Sequence, residues 1–125
     1  MIERLNAVNW FEIPVTDMTR ATSFYEGVFE ITLSLQDASS IQMAWFPMTA
    51  GAPGATGTLM RAPGYEPSEV GTIVYFAVRD IDETLRRVEE RGGQTLMAKT
   101  SIGEHGFVAH FRDSEGNRVA LHART

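Results

Sequence analysis

Apolar and polar positions follow the same order twice along this chain. Residues 8–15 form a β-rich run with a polar break at Glu12, and Ala21, Phe24, Tyr25 and Val28 then recur at helical spacing. Asp17 stands between them, where its carboxylate can accept from the free amides of a first helical turn. Residues 31–35, 41–47 and 55–61 read as strands, the first two separated by the turn-forming Asp37-Ala-Ser-Ser40. Ala62-Pro-Gly-Tyr-Glu-Pro-Ser68 carries two prolines and a glycine and reads as a linker.

The second half repeats the arrangement. Residues 72–78 predict a strand and 81–91 a helix with Ile81, Leu85 and Val88 on one face. Gly92-Gly93 ends that helix, where a left-handed residue needs no Cβ. Residues 94–100, 107–112 and 117–123 read as strands, and Ser114-Glu115-Gly116 as a three-residue hairpin loop with Gly116 at positive φ. Residues 11–25 can be laid on 74–88 without a gap, so that Val15 falls on Val78 and Asp17 on Asp80. The expectation is an α+β fold of two βαβββ modules: module one at about 5–61, a linker at 62–70 and module two at about 71–125.

Composition narrows the class. The chain has 125 residues, 43% of them hydrophobic, which fits one domain with a real core. Sixteen acidic against eleven basic residues give a net charge of −5, and no basic cluster is present to neutralise a phosphate backbone, so nucleic acid is not an expected partner. There are no cysteines, which excludes disulfide scaffolds, thiolate metal sites and cysteine nucleophiles. No apolar run is long enough to span a membrane, and Glu3 and Arg4 interrupt any leader-like stretch; a cytoplasmic protein is expected.

Asp17-Met-Thr-Arg-Ala-Thr-Ser-Phe-Tyr25, the Gly92-Gly93 helix end and Asp113-Ser-Glu-Gly-Asn117 before a final strand occur in that order. The combination resembles the vicinal oxygen chelate superfamily, which includes glyoxalase I, bleomycin-resistance proteins and extradiol dioxygenases. Small bacterial proteins related to lactoylglutathione lyase look most similar. The resemblance implies tandem βαβββ modules whose curved, mostly antiparallel sheets form a concave cup. It also implies a homodimer and, in catalytic members, a divalent metal held by His, Glu or Gln.

Carried over residue by residue, the family's metal positions fall on Trp10, on Ile73, near Gly57 and on Ala120. None offers a side-chain lone pair suited to a divalent cation, so the expectation is no metal or other cofactor at the usual place, and no classical glyoxalase I activity. Strand alternation turns Trp10 and Glu12 to the cup together, and likewise Ala120 and His122. With Ser114–Gly116 as the loop, His110 pairs with Ala120 and lies diagonal to His122. Glu12, His110 and His122 are thus candidate catalytic residues, for acid–base work or an atypical metal site; hydrogen-bonded, non-catalytic histidines are the other reading. Trp10, Trp45, Met60, Tyr75 and Phe107, with Met43, could line an aromatic ligand wall, or equally belong to core or dimer interface. His105 lies in a Gly-flanked loop able to close over the cup, or is a surface residue. Lys99 and Arg61 could meet an anionic ligand or be solvated.

Two classes of function follow. One is a non-catalytic module that binds a small, flat or amphipathic molecule, as bleomycin-resistance proteins do. The other is a lyase, isomerase or dioxygenase-like enzyme using Glu12, His110 and His122. A cup that is only an assembly surface is a third.

Overall fold

The computed structural model describes residues 5–38 and 40–125. Glu3, Arg4 and the Ser39 of the expected turn lie outside the described residues. In chain order the elements are β1 (Trp10–Pro14), α1 (Met18–Phe29), β2 (Ser34–Ala38), β3 (Ile41–Trp45), β4 (Thr56–Arg61), β5 (Tyr75–Ala77), α2 (Ile81–Glu90), β6 (Gln94–Ser101), β7 (Phe107–Arg112) and β8 (Arg118–Ala123). A short 3-10 turn, Gly103–His105, precedes β7. The strands form two four-stranded sheets, ordered β1-β4-β3-β2 and β5-β8-β7-β6. In each sheet the first strand runs parallel to the last, and all other neighbours are antiparallel. This is the α+β, twice-βαβββ architecture that the repeated pattern predicts.

Local chemistry sets the helix ends. Asp17 Oδ1 accepts from the Arg20 amide at 3.0 Å, and Asp80 Oδ1 accepts from the Glu83 amide at the same distance. After α2, Gly92 adopts φ +97° and the Gly93 amide returns to the Val88 carbonyl at 2.9 Å, closing the helix with a left-handed glycine.

Several strands differ from expectation at their ends. Leu33 is buried in the core and Ile31 partly buried against it before β2 begins, whereas β2 itself is an exposed edge strand with no apolar signature and takes in Asp37. Apolar residues there mark burial and not the strand. β5 is shorter than the expected 72–78, although ladder bonds from the Ala120 amide to the Val74 carbonyl and from the Val78 amide to the His122 carbonyl flank it.

One core joins the modules. Ala21, Phe24, Tyr25 and Val28 of α1 and Ile81, Leu85 and Val88 of α2 bury against Ile13, Ala44 and Leu59 of one sheet and Ala109, Phe111, Val119 and Leu121 of the other. Phe11 and Phe76, one from each half, meet edge-on at 5.6 Å, and Phe29 lies 4.6 Å from Phe76.

The 113–117 hairpin fastens module two to the start of module one. Tyr25 Oη donates to buried Asp113 Oδ2 at 2.7 Å. Asn117 Nδ2 donates to the Pro14 carbonyl at 2.8 Å and to Asp113 at 3.0 Å, while Asn117 Oδ1 accepts from the Ser68 amide at 3.1 Å. Glu115 Oε1 accepts from the amides of Thr16 and Asp17, both at 2.9 Å, and Arg20 Nε meets Glu115 Oε2 at 2.7 Å. Among the described residues no helix is long and apolar enough to cross a membrane.

Candidate functional site

Each sheet turns alternate residues away from the helices, and those residues make its outward face. On the first sheet, Ile13 and Leu59 pair within the core, so their neighbours Glu12, Pro14, Thr58 and Met60 face outward, as does Trp10. Register places Trp45 beside Thr58 and Met43 beside Met60. Trp10 and Trp45 pack edge-to-face with centroids 5.3 Å apart, and Trp45 keeps 39% of its surface exposed. Glu12 Oε1 accepts from Tyr65 Oη of the linker at 2.9 Å, a hydrogen bond that raises the Tyr65 phenol above its ordinary pKa.

On the second sheet, Tyr75, Ala77, Val108, His110, Arg112, Arg118, Ala120 and His122 share the outward face, since Phe76, Ala109, Phe111, Val119 and Leu121 are in the core. His110 lies opposite Ala120 and His122 opposite Val108, so the two histidines are diagonal neighbours, the register that the three-residue loop predicts. They do not bond to each other. His110 Nε2 meets Tyr75 Oη at 3.2 Å and His110 Nδ1 meets Arg118 Nη1 at 2.8 Å. Burial, and then the Arg118 charge, hold the His110 imidazole below its usual pKa. His122 Nε2 donates to the His105 carbonyl at 2.7 Å. The His105 side chain is exposed, so His105 itself touches the site through its backbone carbonyl. A cleft of about 440 Å³ lies here, lined by Tyr75, Ala77, Ile102, Val108 and His122.

Two expected placements need correction. Phe107 pairs with Ala123 and packs against the core, with Lys99 Nζ 4.6 Å from its ring centroid; it does not face the cup. It lies three positions from His110, and alternation puts such residues on opposite faces. Gly57 also points to the core side. A Cβ there would stand 2.2 Å from the Phe11 carbonyl oxygen, so close approach of β1 and β4 requires glycine. The neighbouring outward position is Thr58, whose hydroxyl is engaged with the Ala44 and Leu59 carbonyls at 3.0 and 2.7 Å. Arg61 Nε donates to the Thr16 carbonyl at 3.3 Å.

At the positions where the resemblance puts metal ligands, the side chains present carry no ligating atom. Trp10 brings an indole, Ile73 lies before β5, and Ala120 is wholly buried beneath the Tyr75–His110 contact. Glu12 sits on the other sheet from His110 and His122. Among the described residues no three His, Asp or Glu side chains come close enough to hold an ion. Sequence reasoning passed over Tyr65, Ile102 and Arg118. Of these only Arg118 carried a signal, since it lies an even number of positions from His122.

Comparison with known proteins agrees with this architecture. A glyoxylase-like domain-containing protein from Didymella fabae is 30% identical over 122 residues, covering 94% of this chain and 93% of that one. The anthracycline biosynthesis protein DauV from Streptomyces is 26% identical over 123 residues, covering 90% of this chain and 45% of DauV. The chain thus spans about half the length of several curated relatives it matches. Among solved structures, a glyoxylase/bleomycin resistance protein/dioxygenase domain from Frankia superposes with a TM-score of 0.73 at 14% identity, covering 97% of this chain and 99% of that one. The family model of the Glyoxalase/Bleomycin resistance protein/Dioxygenase superfamily matches residues 7–121, and the chain belongs to that superfamily.

Proposed function

We propose that this protein is a ligand-binding member of the superfamily that holds a small, flat or amphipathic molecule in its cup without the usual metal, as a homodimer in the cytoplasm. The observation that carries the reading is the character of the two outward sheet faces. Trp10 and Trp45 form an open aromatic wall on one sheet, and Tyr75, 50% exposed, forms another beside an apolar cleft. Large aromatic side chains left half-exposed on a sheet face are a feature of binding sites, because their burial by a ligand is favourable. At the family's metal positions stand side chains that stack and pack instead of ligating. Each wall belongs to one module, and the cleft of the second sheet is lined by that module alone. A second copy laid on these faces would cover them both.

The test is metal analysis of protein purified without chelators, together with sedimentation at micromolar concentration. The reading expects no stoichiometric metal and a dimer. One equivalent of Zn, Fe, Mn or Ni, or a strict monomer, would contradict it.

One observation favours a second reading, metal-free acid–base chemistry of the lyase or isomerase type. His122 donates its Nε2–H to a backbone carbonyl, which leaves Nδ1 with a lone pair in the neutral ring beside the cleft. That reading requires His122→Ala or Glu12→Gln to abolish turnover while leaving the fold intact.

A further inference from the structure

The contacts of His110 have a direction that Arg118 imposes. A guanidinium carries donors only and stays protonated. At 2.8 Å from Arg118 Nη1, His110 Nδ1 must therefore be the acceptor and carry no proton. A neutral imidazole then has its proton on Nε2, which donates across 3.2 Å to Tyr75 Oη. The Tyr75 oxygen receives this bond above Ala120, the residue that separates the two in register and whose methyl leaves room for them to meet. Tyr75's own hydroxyl proton has no acceptor among the described residues, and the side chain is half-exposed beside the cleft.

Arg118 is also without a carboxylate partner among the described residues, whereas its cross-strand neighbour Arg112 is paired with Glu69 at 3.2 Å. A partly buried cation bonded only to a neutral ring is uncompensated charge. We propose that the Arg118–His110–Tyr75 relay makes the cup selective for flat organic anions, with Tyr75 donating to the ligand's charged oxygen and Arg118 determining the preference. This rests on the reading of the cup as a binding site and adds the charge of the ligand to it. In this role His110 is a positioning residue, oriented by Arg118 and acting through Tyr75.

Two dyes of one skeleton test it: the anion 8-anilinonaphthalene-1-sulfonate and the neutral N-phenyl-1-naphthylamine. Affinities come from fluorescence titration, and the site from amide shift changes at Ala77 and Val108. The expected result is tighter binding of the anion, a loss of about tenfold in its affinity in Arg118→Gln and in Tyr75→Phe, and unchanged binding of the neutral dye in Arg118→Gln, whose side chain does not line the cleft. Circular dichroism and thermal unfolding report that each variant still folds. Labelled-histidine NMR of the unmodified protein at pH 7.5 should show His110 neutral with its proton on Nε2. Equal affinities for the two dyes, equal losses for both in Arg118→Gln, or a proton on His110 Nδ1 would overturn the inference and leave the binding reading standing. Failure of both dyes to bind at the cup would overturn the two together.

Discussion

Asn117 joins three parts of the chain, and its removal is the sharpest test of how the modules are held. Its amide donates to the Pro14 carbonyl and to Asp113, and its oxygen accepts from the Ser68 amide, all at 2.8–3.1 Å and with only 6% of the residue exposed. Asn117→Ala removes three bonds and leaves a strand-end carbonyl and a linker amide without partners in a place water reaches poorly. At about 1 kcal/mol for each bond, the loss is about 3 kcal/mol. For a chain of 125 residues the unfolding entropy is about 0.26 kcal/mol/K, so Tm should fall by about 11 °C. Asn117→Asp retains the acceptor for Ser68 but sets a second carboxylate against Asp113 and the Pro14 carbonyl, and should cost at least as much. Urea unfolding followed by circular dichroism measures both, with an unchanged m-value confirming that stability alone moved. A shift below about 1 kcal/mol in Asn117→Ala would refute the view that this residue ties the linker and both modules together.

Other predictions use separate features. Burial alone would raise the Glu115 carboxyl, but Arg20, the Asp17 and Thr16 amides and Ser114 outweigh it and hold the pKa at about 2, against an ordinary 4.5. A lowered folded-state pKa means that this stabilisation is complete above about pH 4.5 and is lost as pH falls toward 2. Glu115→Gln should therefore flatten the pH dependence of Tm across that window; an unchanged acid limb would count against it. Gly57→Ala should destabilise by about 3 kcal/mol, because the new methyl meets the Phe11 carbonyl and ring and neither can move without disturbing the β1–β4 ladder. A neutral Gly57→Ala in thermal unfolding would contradict that packing. Trp45→Ala should cost about 1–2 kcal/mol of stability, since Trp45 is partly covered and packs on Trp10, while weakening capture of N-phenyl-1-naphthylamine by about 2 kcal/mol. Equal dye affinity in that variant would remove Trp45 from the wall.

The architecture was legible because burial repeats with a period. Alternation placed Trp10 and Glu12 on one face and Ile13 and Val15 on the other, and a closed three-residue loop between Asp113 and Asn117 left one register for His110 and Ala120. The same alternation assigns Phe107 to the core; grouping aromatics by type instead of by parity misplaced it. β2 was shifted because an exposed edge strand has no apolar pattern to read. The long-range partners were not legible at all. Nothing near Glu115 in sequence announces Thr16, Asp17 and Arg20, and nothing near Glu12 announces Tyr65, because these pairings exist only once the two halves and the linker are folded together.

The most direct trial of the account is a single titration: N-phenyl-1-naphthylamine binding, read by energy transfer from Trp10 and Trp45, before and after exhaustive chelation and again after adding Zn, Mn, Ni or ferrous iron. The account predicts saturable binding with one affinity in every condition. Binding that disappears on chelation and returns with a particular metal, or that never occurs, would contradict it.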